Sequence, residues 1–276
     1  MSNDWVHLYL PVIYPPLPLA IDSVGFNPEQ EPIQRERGYP YFHWLHTVDG
    51  EGELTVGRHT FTLYPNSGLL LFPEVAHHYR ATTAHWTTGY VTFYGSQARG
   101  MLEALGIGEV CFIRWEEQCG IISWFNRMML NIQHAEDMSG LDSSSDLYRF
   151  LLLLKKYGSL NERSSLSHNM NKIKPLLAWL DVHYSNPDIG LAEMADQQGI
   201  SARSVNLLFQ SALGMSAYSY LIDLRIRKAK QLIIQQREWT IKRIAEQAGY
   251  RDVSHFTASF RKKVGTSPQK YRQLVT

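Results

Sequence analysis

Cysteine is nearly absent: Cys111 and Cys119 are the only two in 276 residues. Two thiols cannot build a disulfide framework, and no CxxC pair or Cys/His finger spacing accompanies them, so a reducing cytoplasm is the expected compartment. No run approaches the ~18 uninterrupted apolar residues of a membrane span; the longest, Phe150 to Leu154, reads as the buried part of a helix. The opening residues MSNDWVHLYLPVIYPP lack a basic n-region and an unbroken apolar core, which predicts no signal peptide. The nucleophile elbow, the P-loop, the dinucleotide fingerprint and HExxH are all missing, so the expectation is a protein that is not an enzyme and carries no cofactor.

Enough apolar material is present for two cores, with 44% hydrophobic and 12% aromatic residues, and the length favours two domains over one. The net charge of +1 conceals an asymmetry. From Met170 onward there are 16 lysines and arginines against 8 acids, a balance of +8; residues 1–169 carry 11 against 18, a balance of −7. The basic half points to a polyanionic partner.

That half also contains a duplication. Ala195, Gln197 and Gly199 recur as Ala245, Gln247 and Gly249 at an offset of 50, and Phe209, Gly214, Ser216 and Tyr220 recur as Phe260, Gly265, Ser267 and Tyr271 at an offset of 51. The extra residue must therefore fall between Gly199 and Phe209, near the turn. Each copy reads as a short helix, a glycine-containing turn and a second amphipathic helix, the pattern of a helix-turn-helix.

Along the chain, residues 1–35 are proline-rich (Pro11, Pro15, Pro16, Pro18, Pro28, Pro32) and read as an extended arm and loop. From Tyr39 to about Phe93, β-prone runs alternate with turn signals at Asp49-Gly50-Glu51-Gly52 and Pro65-Asn66-Ser67-Gly68, which predicts a small sandwich or barrel. From Gly120 the period becomes helical, with one helix through Ile132, a loop over 134–145 and a second helix over about 146–157, an antiparallel pair. The polar stretch 158–171 reads as a linker, which divides the chain into domains at 1–157 and 172–276. In the second domain Ser201 is a candidate N-cap, and Ser216 to Gln236 reads as one long helix joining the repeats.

A second helix of this kind is narrow enough to enter the major groove and present side chains to base edges. In the first repeat it spans 201–212, with Val205, Leu208, Phe209 and Ala212 inward and Arg203, Ser204, Asn206, Leu207 and Gln210 outward. Arg203 and Asn206 have the geometry for bidentate base contacts. In the second repeat Phe256, Phe260 and Val264 point inward, leaving Ser254, His255, Ala258 and the Arg261-Lys262-Lys263 run outside, the basic run suited to phosphate.

The last ~100 residues resemble the DNA-binding domain of the AraC/XylS family of bacterial transcription regulators. The segment IAEQAGYRDVSHFTASFRKKVGTSPQKYR at 244–272 carries the likeness. The resemblance implies two helix-turn-helix units on successive major-groove faces of double-stranded DNA. It places Arg203, Ser204 and Leu207, then Val253, Ser254, His255 and Ala258, toward bases. Leu207 and Ala258 suit thymine methyls better than hydrogen-bonded readout. RNA polymerase is an implied partner.

The N-terminal half resembles the cupin-like sensor domain of sugar-responsive members, through Arg35 to Gly38, Gly50 to Gly52, Pro73 to Tyr79 and the strand WTTGYVTF. The resemblance implies a small ligand held by an arginine and aromatic rings, and it makes the helical pair a homodimerisation element. Period two puts Trp86, Thr88, Tyr90 and Thr92 on one amphipathic face, which suits a polyol. Arg35, Tyr79, Thr88 and Tyr90 are the candidate ligand contacts. The expected fold is thus α+β multidomain: a cupin-like β-barrel or sandwich with a helical hairpin, then an all-α domain with two helix-turn-helix motifs. The function it implies is a ligand-responsive activator of carbohydrate uptake or breakdown genes.

An alternative is a metal-dependent cupin enzyme fused to a DNA-binding module, since His43, His46, His77, His78 and His85 cluster in sequence. His43 and His46 are three apart and His77 and His78 adjacent, so neither pair shares a face of a strand, and no metal is expected.

Overall fold

The computed structural model describes residues 6–10, 16–134, 139–160 and 164–275. Pro11 and Pro15 of the expected arm, and residues 135–138 of the expected loop, lie outside them. The chain divides into two compact units, Met1–Leu166 and Ser167–Thr276.

The first unit contains β1 (Val6–Tyr9), β2 (Ala20–Asn27), β3 (Ile33–Arg35), β4 (Phe42–Val56), β5 (His59–Leu63), β6 (Ser67–Leu71), β7 (His77–Tyr94), α1 (Ala98–Ala104), β8 (Val110–Arg114), a 3-10 turn at Glu117–Cys119, α2 (Ile121–Gln133), α3 (Leu141–Tyr157) and β9 (Ser159–Leu160). The strands pair antiparallel in the order β1-β2-β7-β4-β6-β8-β9, with β3 on β7 and β5 on β4. Alternation sends Phe42, Trp44, Val91 and Phe93 to one face, where Phe125, Met128, Phe150 and Leu154 of α2 and α3 cover them. The opposite face buries Leu45, Leu54, Leu69, Leu71, Tyr79, Trp86 and Tyr90.

Three expectations are corrected here. Residues 20–27, expected in the arm, form β2, a buried strand paired on both sides by β1 and β7. The prolines that suggest a loop flank it at Pro18 and Pro28 and leave its N–H groups free to pair. Asp49 to Gly52, expected as a turn between strands, lies inside β4 as a pair of register shifts, with Gly50 at φ 72°. Turn residues and bulge residues look alike locally; the continuing partner β7 makes this a bend in one strand and not a reversal. The helix α3 also starts at Leu141, earlier than expected. Gly140 at φ 67° turns the chain into it, and Asp142 in the first turn complements the helix dipole. Both α1 and β8 are additions to the expected elements.

The second unit is helical: α4 (Leu166–His183), α5 (Leu191–Gln198), α6 (Ala202–Leu213), α7 (Ala217–Gln235), α8 (Ile241–Gln247), α9 (Val253–Val264) and α10 (Pro268–Val275). The stretch 158–171 thus carries β9 and the start of α4. One cluster gathers Ile173, Leu180, Met194, Val205, Phe209 and Leu221; another gathers Ile226, Ile233, Ile244, Phe256 and Phe260. Both draw on α7, which spans the unit. No helix among the described residues is long and apolar enough to cross a membrane.

Candidate functional site

The two helix-turn-helix motifs are built by local chemistry. Gly199 at φ 66° ends α5, and Ser201 then caps α6 by accepting from the Ser204 N–H at 3.1 Å. In the second motif Gly249 at φ 83° follows α8, and Asp252 caps α9 by accepting from the His255 N–H at 2.8 Å. Ile200 alone separates glycine from cap in the first turn; Tyr250 and Arg251 do so in the second. The extra residue therefore lies in the turn, where Tyr250 is buried against Phe256.

On α6, Val205, Phe209 and Ala212 are buried while Arg203, Leu207 and Gln210 are exposed and Ser204 is half-buried. Leu207 is 60% exposed, an uncovered apolar side chain in the middle of the candidate reading face. On α9, Phe256 and Phe260 are buried, and Val253, Ser254, His255, Ala258, Arg261 and Lys262 are exposed. Arg203, Arg261 and Lys262 have no ion-pair partner among the described residues, whereas Lys263 is paired with Asp223 at 2.6 Å. Two of the three basic residues on α9 are therefore uncompensated.

Asn206, expected to face bases, has a partner within the protein. Its Oδ1 accepts from the backbone N–H of Ala217, the first residue of α7, at 3.1 Å. Bidentate recognition of adenine needs both amide atoms, and one lone pair of Oδ1 is already engaged. Asn206 ties the recognition helix to the connector, a bond between positions eleven apart that helical periodicity does not reveal.

In the sheet domain, one face of the sheet collects polar groups among aromatic rings. The β3–β7 register sets Arg35 opposite His77, and the β4–β7 register sets His43 opposite Thr92 and Leu45 opposite Tyr90. Arg35 Nη1 lies 3.3 Å from His43 Nδ1; a guanidinium only donates, so Nδ1 accepts. The Arg35 guanidinium also lies over the Tyr39 ring at 4.3 Å. The His77 ring stacks on Tyr79 at 6.0 Å and is 5.8 Å from that of His43. His77 Nδ1 donates to the Val75 carbonyl at 2.7 Å, leaving buried Nε2 as an acceptor without a hydrogen-bond partner among the described residues. Burial holds the His43 pKa well below its ordinary value, helped by Arg35 and His77; burial also lowers that of His77, against the pull of the Val75 bond. Burial raises the Tyr79 and Tyr90 hydroxyl pKa values.

Of the four expected ligand contacts, Arg35 and Tyr79 meet through His43 and His77, and Tyr90 lies 6.3 Å from His43 with its hydroxyl against His7 Nδ1. Thr88 is fully buried, and its hydroxyl donates to Gln30 Oε1 at 2.7 Å, which also accepts from Asn27. Its proton is committed within the protein. Tyr39, His43 and His77 join the cluster without having been among the expected contacts, because histidine spacing in the sequence bears only on metal ligation. Alternation along YFHWLHTV, which puts His43 and Leu45 on one face, is the signal that could have found His43. His46 points the other way, 4.5 Å from the Phe125 ring, with Nδ1 accepting from Trp44 at 3.1 Å. His78 is exposed while His77 is buried. No group of three histidines, cysteines or acids that could hold a metal occurs among the described residues.

A sheet domain with a buried polar cluster, followed by a basic helical domain with two capped recognition helices, defines a two-domain DNA-binding regulator. Residues 27–151 match the family model for an AraC-like ligand binding domain, and residues 194–274 match that for a helix-turn-helix domain. The chain belongs to the AraC family of transcription regulators. It is similar to the HTH-type transcriptional activator RhaS of Escherichia coli O1:K1 / APEC, 28% identical over 162 residues that make 58% of this chain and 57% of that protein. The match thus spans little more than half of the relative's length. Among solved structures, the C-terminal domain of the response regulator yesN from Fusobacterium nucleatum is 26% identical with a TM-score of 0.36, covering 37% of this chain and 98% of its own. ToxT from Vibrio cholerae O395 is 13% identical with a TM-score of 0.33, covering 100% of this chain and 99% of its own.

Proposed function

We propose that this AraC-family regulator activates carbohydrate uptake or breakdown genes in response to a small sugar-like ligand bound at the polar and aromatic face of its sheet domain. The observation that carries the DNA part is the pair of recognition helices, each exposing apolar and uncompensated basic side chains on a basic domain. Arg203, Ser204, Leu207 and Gln210 on α6, and Val253, Ser254, His255 and Ala258 on α9, are the base-facing candidates; Arg261 and Lys262 take phosphate. The ligand part is supported by the cluster of Arg35, Tyr79 and Tyr90 with Tyr39, His43 and His77. It offers the Arg35 guanidinium, the His77 acceptor and ring faces, the complement of a polyol.

The ligand acts only through a difference in affinity between two arrangements of the protein, so the same coupling must raise or lower DNA affinity and ligand affinity together. A homodimer through α2 and α3 raises affinity for neighbouring sites by effective concentration, and RNA polymerase is the target of activation. The test is selection of bound DNA from a random pool by the full chain, with and without a panel of sugars. A two-part motif with halves about one helical turn apart is the expected result. Nothing above salt-sensitive background in either condition overturns the DNA reading. A motif indifferent to every sugar that shifts the melting temperature overturns the ligand coupling.

A further inference from the structure

We infer that Arg225, a residue that faces no DNA, is the positioning residue that sets the spacing between the two halves of the site. The inference rests on the reading that α6 and α9 both contact DNA.

Arg225 sits in the middle of α7, the helix shared by both hydrophobic clusters, and is only 4% exposed. Burying a guanidinium is unfavourable unless its donors are satisfied, and a leucine or methionine would fill a helix core with less penalty. Here Nε donates to the Tyr184 carbonyl at 2.9 Å and Nη2 donates to the Asn186 carbonyl at 2.7 Å. Both acceptors lie on the turn between α4 and α5. The rigid fork of arginine reaches two carbonyls on one turn, which a lysine ammonium does not do.

The other side of the guanidinium meets the second helix-turn-helix. Its carbon lies 5.9 Å from the Tyr250 ring centroid, and a Cβ on Gly249 would overlap the Tyr184 carbonyl and lie 2.8 Å from Arg225 Nε. The positive φ of 83° and the missing side chain of Gly249 thus let the second turn press onto the first. At the surface of the same junction Asp188 and Arg251 form an ion pair. The turn 184–188 leads into α5 and so to α6; the turn 249–251 leads directly into α9. Arg225 therefore joins the turn that leads through α5 to one recognition helix to the turn at the root of the other. A two-part site is read with full affinity only if both helices reach their grooves together, because the second contact is intramolecular once the first is made.

The test uses the full chain, the two-part sequence that the wild-type protein selects, versions of it with one or two base pairs inserted or removed between the halves, and a single half-site. Arg225→Met is expected to lose at least ~10-fold on the two-part site, to keep half-site binding, and to flatten the dependence on spacing. Arg225→Lys keeps the charge and most of the stem but offers one ammonium to two carbonyls. It is expected to fall between the two, and it carries the test if Arg225→Met does not fold. Wild-type affinity and spacing preference in the folded variants would overturn the inference. Equal loss on half-site and two-part site would also overturn it, as the mark of a merely structural residue. Failure of the wild-type chain to select any DNA removes the reading of α6 and α9, and Arg225 falls with it.

Discussion

Replacing Asn206 distinguishes a base reader from a structural tie. In Asn206→Ala, the N–H of Ala217, a fully buried residue at the first position of α7, loses its acceptor. Leaving a buried donor unsatisfied costs about 1–3 kcal/mol. In a helical unit of this size that lowers the midpoint of thermal unfolding by roughly 4 °C or more. Asn206→Asp keeps the acceptor and adds negative charge at a helix N-terminus, which is favourable by about 0.3–1 kcal/mol, so its melting should match or exceed that of the wild type. A base reader would behave in the opposite way: alanine would leave stability alone and relax preference at one base, and the aspartate would repel DNA. Denaturation followed by far-ultraviolet circular dichroism, with selected-site binding of each variant, separates the two. Wild-type melting of Asn206→Ala together with altered preference at one base would refute the assignment.

Arg203→Ala should weaken specific binding by ~1–3 kcal/mol and relax selectivity at one base position; unchanged affinity and selectivity in a competition assay would remove it from the contacts. Lys262→Gln should weaken all DNA about equally and reduce the slope of log affinity against log salt by about 1. Lys263→Gln should change that slope less, because Asp223 already compensates it. Burial lowers the pKa of His46 to about 3, and those of His43 and His77 are lowered too. Below pH ~6.5, the unfolded histidine value, the unfolded chain therefore binds more protons than the folded one. The sheet domain should be most stable above that pH and weaken as pH falls below 6.5; for His46 the loss continues toward pH 3 at about 1.4 kcal/mol per pH unit. His46→Gln should flatten this slope in urea titrations between pH 7 and 5; a slope equal to that of the wild type would falsify the attribution.

The paired helix-turn-helix is readable because everything that specifies it is local. Ser201 and Asp252 reach N–H groups three residues away, Gly199 and Gly249 end helices through their own φ, and the 3.6-residue period of Val205, Phe209, Phe256 and Phe260 chooses the buried face. The sheet domain is less legible. Alternation finds the strand face of Trp86, Thr88, Tyr90 and Thr92, but β2 and the bend at Gly50 depend on what pairs with them, and prolines and glycines look the same in loops and at strand edges. Tertiary structure alone decided three things. Register brought Arg35 to His43 and His77, positions up to 42 apart, and turned isolated histidines into one cluster. A hydrogen bond from the Ala217 N–H tied Asn206 to the start of α7. A fork from α7 to the carbonyls of Tyr184 and Asn186 anchored the buried Arg225 to the turn ahead of α5. Each depends on partners distant in sequence, and a chain read from its neighbours outward carries no record of which distant carbonyl or ring will be there.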